Sequence, residues 1–193
     1  MTGSHPRSQF PPSVDREELH FRRIDIRAYL RGDGLYEVEG NLTDKKPQRF
    51  TPVAGGKTFQ AGEPLHDMGV RLVFDETMTI REVQTFTADA PHEPCSEGGR
   101  ELNALTGIRI GAGWNSEVRR RLSNAQTCTH LKELLAPMAT TAIQMMIALA
   151  INEVDALDEQ GRPRKINSCY AYADNGELVK RRWPQYYQLR EQK

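Results

Sequence analysis

The sequence predicts an α+β fold, an antiparallel sheet of two hairpins covered on one side by three helices. Three observations carry this. Strand-like patterning is confined to residues 20–89, turn signals divide it into paired arms, and helical periodicity is confined to residues 95–155. Residues 1–18 carry Ser, Pro and charge without periodicity and read as a flexible arm. Residues 19–193 then read as one domain that ends in an extended C-terminal tail over 156–193.

Phe21, Ile24, Ile26, Tyr29 and Leu30 form the first arm, and Arg31-Gly32-Asp33-Gly34 is a strong turn signal. Leu35 to Leu42 alternates apolar with polar, as a strand with one wet face does. Residues 44–64 are rich in Lys, Pro, Gly and Gln and read as a long loop with room for a short strand. Met68–Phe74 and Thr79–Phe86, dominated by Val, Ile, Thr and Phe and joined at Asp75-Glu76, form the second hairpin. Past Pro94, Ser96 is placed to cap a short helix through Leu105, ended by Gly107. Trp114–Leu122 reads as a second helix. Residues 129–151 make the longest, with Leu131, Leu134, Leu135, Met138, Ala142, Met145, Met146 and Leu149 on its apolar face and Pro137 bending it.

The chain has 193 residues, with 26 Lys plus Arg balancing 26 Asp plus Glu, so nothing in its charge points to nucleic acid or acidic lipid. Arg119-Arg120-Arg121 reads as a solvated helix face. No apolar run reaches the length of a membrane span, and residues 1–10 have no apolar signal-peptide core. Cys95, Cys128 and Cys169 are odd in number and far apart, which favours a reducing compartment over a disulfide framework. A cytoplasmic protein acting on a small molecule, with no nucleic-acid or membrane partner, is expected. Met145-Met146 and the aromatics Trp183, Tyr186 and Tyr187 serve either a contact in a homo-oligomer or the core.

Chemistry-bearing residues concentrate around Thr127-Cys128-Thr129-His130. Cys95 and Cys128 each precede a predicted helix, whose N-terminal amides favour an anion; a thiolate binds metal or attacks an electrophile. The competing reading is a cysteine packed as a small apolar group, and Cys169 is read that way. His130, two residues after Cys128, shares an ion with it or caps the helix. Asp67 beside His66 is a ligand, an orienting partner or a turn residue. His92, in Pro91-His92-Glu93-Pro94, is expected to be exposed. A second polar cluster runs through Arg31, Asp33, Glu37, Glu39, Asp44 and Lys45; Glu37 and Glu39 share a strand face that is normally solvated, with Glu39 a candidate carboxylate for moving a proton. The predicted metal set is Cys95, Cys128, His130 and His66 with zinc or iron, and the predicted catalytic set is His66, Asp67, Glu39 and His130. Fingerprints of nucleotide binding and of serine hydrolases are absent.

The order of motifs resembles a bacterial family described as a domain of unknown function. It is carried by Arg31-x-Asp33-Gly34, Glu39-Gly40-x-Leu42-x-Asp44, His66-Asp67-Met68, Pro94-Cys95, Leu105-x-Gly107 and Cys128-Thr129-His130-Leu131, over roughly residues 20–150. The resemblance implies small-molecule catabolism, since members often occur in bacteria that degrade aromatic compounds. A weaker likeness is to iron–sulfur scaffold proteins of the IscU and SufU kind, with His66-Asp67 at the place of their Cys-Gly-Asp motif, Cys95 at the middle cysteine and Cys128 near the last. One scaffold cysteine has no counterpart, which puts cluster assembly in doubt more than the fold or a zinc site.

The favoured expectation is therefore an enzyme, a lyase or hydrolase acting on an aromatic-derived compound. One concrete form is a carbon–carbon lyase that releases a small aldehyde by base-assisted retro-aldol chemistry. The alternatives are a metal- or sulfur-handling scaffold-like protein and a non-catalytic ligand-binding module.

Overall fold

The computed structural model describes residues 14–53, 55–123, 125–149 and 157–189. The first 13 residues of the expected arm and residues 150–156 of the helix and its exit lie outside this set. The chain divides into two compact units, residues 1–147 and 148–193.

In the first unit, β1 (Phe21–Leu30), β2 (Tyr36–Lys45), β3 (Pro64–Phe74) and β4 (Ile80–Asp89) form an antiparallel meander in sequence order. The two predicted hairpins are present, and β2–β3 pairing joins them. The expected short strand within 44–64 is a single bridge between Phe50 and Phe59. Side chains alternate across a strand, so cross-strand partners share a face. Val38, Gly40, Leu42 and Asp44 of β2 are therefore level with Leu72, Val70, Met68 and His66 of β3. That face carries the core, with Leu102, Leu105, Trp114, Leu131, Leu134, Leu135 and Met138 packed on it.

Two α-helices cover the face, α1 (Trp114–Arg121) and α2 (Thr129–Leu149). The helix expected from Ser96 to Leu105 is instead two 3₁₀ turns, Glu93–Glu97 and Arg100–Leu105. Ser96 caps nothing ahead of it: its hydroxyl donates back to the Glu93 carbonyl at 2.9 Å. Gly98 and Gly99, both poor helix formers, stand between the two turns, and both meet neighbours at close range. A Cβ on Gly98 would stand 2.7 Å from that of Cys128. Gly40 is constrained in the same way, since a Cβ there would lie 2.8 Å from Met138 Sδ, so α2 sits directly on the strand. Trp114 Nε1 donates to the Leu135 carbonyl at 3.1 Å, tying α1 to α2. Pro137 stands inside α2 and removes one backbone donor. Arg119, Arg120 and Arg121 are exposed, the last two paired with Glu117.

In the second unit, the described part of the expected extended tail is largely turn and helix. α3 (Glu177–Arg182) and two 3₁₀ turns enclose a small core of Ile166, Val179 and Trp183, with Tyr172 and Tyr186 against it. Trp183 and Tyr186 thus complete a core. Cys169, read from sequence as core, is exposed.

Candidate active site

The site begins at the end of β2. Strand alternation that buries Val38 and Leu42 also buries Asp44, whose side chain is 1 % exposed. Beside it on β1 is Arg22, and beside it on β3 is His66. A register shift at Asp44/Lys45 marks the spot, as bulges often do where a side chain is re-aimed.

Four donors converge on this carboxylate. Oδ1 accepts from Arg22 Nε at 2.7 Å and from His20 Nε2 at 3.3 Å, while Oδ2 accepts from Arg22 Nη2 at 2.7 Å and from His66 Nδ1 at 2.9 Å. A carboxylate offers about four lone-pair positions, so this set saturates it. Burial alone would push Asp44 up, but the hydrogen bonds and charge of Arg22, with the bonds from His66 and His20, hold it at about 2. An ionised Asp44 only accepts, which places the His66 proton on Nδ1 and leaves Nε2 with a free lone pair. Arg22 also donates to Glu133 of α2 at 2.6 Å, fastening the helix to the sheet at this point.

His130, in the first turn of α2, stacks on His66 with ring centroids 4.0 Å apart and a 35° tilt. Burial, then the charge of His130, lowers His66 below the ordinary histidine value, against the pull of Asp44. Burial and then Arg22 lower His130, against Asp44 and Glu133. Both environments thus favour the neutral ring. Cys128 Sγ is 3.9 Å from His130 Nδ1 and 3.8 Å from Met68 Sδ.

These groups open on a cleft of about 780 Å³ between the 3₁₀ turns and the start of α2, lined by His66, His92, Cys95, Thr127, Cys128 and His130 among others. The size suits a small-molecule ligand. The chain folds back as the predicted grouping required, because the Cys128 amide donates to the Gly98 carbonyl at 2.9 Å and docks the 93–98 turn on α2.

The structure thus brings together His66, His130, Cys95 and Cys128, and places Asp67 and Glu39 elsewhere. Asp67 pairs with Thr43 and Glu39 with Arg71, on the sheet face opposite His66. Strand alternation sends adjacent His66 and Asp67 to opposite sides, so Asp67 cannot orient that imidazole. Asp44 does so. Glu39 instead binds Arg71, and Glu37 and Asp33 bind Arg31, in a charged lattice on the outer face. His92 is exposed, as expected, at the rim of the cleft.

Among the described residues, the His, Cys, Asp and Glu side chains able to hold one ion are Asp44, His66 and His130, with ligand atoms within 4.8 Å of one another. Cys95 and Cys128 stand outside that group. A cation there would have to take an Asp44 oxygen from Arg22 or a histidine, so the set fits a metal less well than it fits proton transfer.

A family model described as a protein of unknown function, DUF2889, matches residues 20–144. The chain is a DUF2889 protein. The DUF2889 match begins at His20 and takes in Arg22, Asp44, His66, Cys95, Cys128, His130 and Glu133, so the whole site falls inside it. No curated protein and no solved structure matches the chain. No helix among the described residues is long and apolar enough to cross a membrane.

Arg22 and Asp44 are the site residues that sequence reasoning missed as members. Asp44 had a signal: it continues the Val38–Leu42 alternation, so it is a charge on the apolar face of its strand. Arg22 has the same parity as Ile24 and Ile26 in β1.

Proposed function

We propose that this DUF2889 protein is a small-molecule enzyme using His66 as general base, oriented by Asp44. The observation that carries the reading is the saturated carboxylate, which fixes the His66 proton on Nδ1 and leaves Nε2 with a free lone pair on a residue that lines the cleft. A neutral imidazole backed by a buried carboxylate takes a proton and is stabilised once it is charged.

The reaction class we favour is a carbon–carbon lyase on an aromatic-derived compound with a hydroxyl beside the scissile bond, with hydrolysis as the neighbouring class. In the lyase, His66 Nε2 takes the hydroxyl proton, the C–O bond becomes C=O, and the carbon–carbon bond breaks. The electron pair passes to the leaving carbon, where the aromatic ring spreads its charge. His66 returns the proton to that carbon and a small aldehyde departs. No oxidant or cofactor is consumed. The aromatic assignment rests on the family resemblance, and the proton transfer on the site geometry.

The test is aldehyde release, trapped and quantified, from a panel of aromatic compounds bearing hydroxymethyl side chains, alongside hydrolysis of aryl esters. Turnover that falls at least about a hundredfold in His66→Gln supports the reading. Full turnover in His66→Gln, or none by wild-type protein across the panel, overturns it.

A second reading is favoured by the Asp44, His66 and His130 cluster: a divalent ion, zinc or iron, held by these three and acting as Lewis acid. Elemental mass spectrometry of freshly purified protein decides between the two. Near-stoichiometric metal, lost in His66→Gln and His130→Ala, favours the ion; metal-free protein that turns over substrate favours the proton relay. The scaffold-like reading receives less support, since the clustered ligands are a carboxylate and two imidazoles in place of thiols.

A further inference from the structure

The proposed proton relay uses Asp44 and His66 and leaves a second set of groups on the same cleft without a task. Cys128 is half-buried and has its sulfur 3.9 Å from His130 Nδ1. It also caps α2, because its carbonyl accepts the Lys132 amide at 3.1 Å. The amides of Thr129, His130 and Leu131 precede that first rung and have no helical carbonyl to bond. Next to the cysteine, Thr127 is 5 % exposed and lines the cleft, and its Oγ1 has no hydrogen-bond partner among the described residues. A buried hydroxyl without a partner is destabilising, and a ligand oxygen would relieve it.

We propose that Cys128 is a nucleophile toward an aldehyde held in this cleft, with His130 taking the thiol proton and Thr127 donating to the carbonyl oxygen. Nucleophile, adjacent base and oxygen-binding donors are the three parts such an addition needs. The Sγ–C bond forms as the carbonyl π bond breaks onto oxygen, where the Thr127 hydroxyl and the open α2 amides favour negative charge. The proton passes from the thiol to His130 Nδ1 and then to that oxygen. The product is a hemithioacetal, and the addition reverses without a co-reactant. The choice of an aldehyde rests on the proposed aldehyde-releasing reaction, for which the adduct would hold the small product beside His66. The reactivity of Cys128 itself does not rest on that reaction.

The test uses the full chain and two probes. Iodoacetamide labelling, followed by peptide mapping, compares Cys128 with exposed Cys169 in one molecule. Cys128 is expected to react at least about tenfold faster despite its burial. His130→Ala should bring it to the Cys169 rate while leaving Cys169 unchanged. In a Cys95→Ser/Cys169→Ser background, which leaves Cys128 as the one thiol, ¹³C-formaldehyde should then give a hemithioacetal carbon signal that is lost when Cys128→Ser is added and weakened by Thr127→Val. Thr127→Ser, which keeps the hydroxyl, should retain the signal. Labelling of Cys128 no faster than Cys169 overturns the proposal, and so does fast labelling without an adduct. An adduct in a protein that turns over no substrate would sink the proposed lyase and leave the role of Cys128 standing.

Discussion

Asp44 and Glu39 stand five residues apart on β2, and each binds an arginine from a neighbouring strand, Arg22 or Arg71. Their environments are opposite. Asp44 points under α2 with a side chain 1 % exposed and gathers two histidines besides its arginine. Glu39 points to the uncovered face, is 26 % exposed and joins a lattice of surface pairs. One residue of strand parity separates a carboxylate that sets the tautomer of a buried imidazole from one that decorates a surface. The two sheet faces therefore show that residue type and spacing nominate a site, while the face decides it.

The largest expected effect comes from removing the buried member. Asp44→Asn leaves Arg22 and His66 short of their acceptor and lets the His66 proton move to Nε2. We expect a loss of about 3 kcal/mol, read by urea unfolding. If the proposed lyase reaction holds, aldehyde release should fall about a hundredfold. A stable variant with unchanged turnover would break the contrast between the faces.

Acid should act on the buried face first. The folded-state values of His66 and His130 lie below the ordinary histidine value, so the unfolded chain binds more protons and stability declines as pH falls below about 6.5. Asp44, held at about 2 against an ordinary 3.8, adds a second contribution of about 2 kcal/mol. That contribution is fully present above pH 4 and is lost as pH falls through 2. Urea midpoints across pH 3–8 should show the upper decline, and the double variant His66→Gln/His130→Gln should remove it. An identical pH curve in that variant would place the acid sensitivity elsewhere.

A smaller effect is expected at the cleft wall. Gly98→Ala drives a methyl against Cys128 Cβ and loosens the bond from the Cys128 amide to Gly98. The short turn can shift, so the cost should be about 1 kcal/mol, with faster hydrogen exchange at the Cys128 amide. The smallest effect belongs to the outer face. Glu39→Gln should change stability by about 0.5 kcal/mol or less and leave turnover intact, because exposed pairs contribute little. A loss of turnover there would put the proposed assignment of the site to the inner face in question.

Much of this was legible in the sequence. Arg31-Gly32-Asp33-Gly34 announced the first hairpin, and the β-branched run from Val70 announced the second. The sequence offers His66, Cys95, Cys128 and His130 as a group only on condition that the chain folds back, and the four line one cleft. The sequence pattern starts β3 at Met68, whereas the strand begins at Pro64, because Pro64 and His66 continue the pairing with β2. That displacement hid the strand parity of His66 and Asp67 and made a sequence neighbour look like a site partner. For Asp44 the one sequence signal is its parity with Val38 and Leu42, while its partners Arg22, His20 and His66 lie about 22 residues away on other strands or ahead of them and are not legible locally. Gly98-Gly99 inside the expected helix is itself a local breaker, and what the sequence does not encode is the close approach of Cys128 and Thr85 that leaves no room for a Cβ at either position.

The meander has a consequence for how the protein comes to exist at all. Arg22, Asp44 and His66 lie on successive strands joined in sequence order, so the contacts that unite them have modest sequence separation and need only the sheet. His130, Cys128 and Glu133 arrive only when α2 docks from much further along the chain. A chain with its sheet formed and its long helix undocked would already hold the aspartate–histidine pair, but wet, without its stacked ring and without a cleft. The cleft would then be completed as the last event of folding, and refolding followed by the proposed activity should lag behind refolding followed by strand pairing.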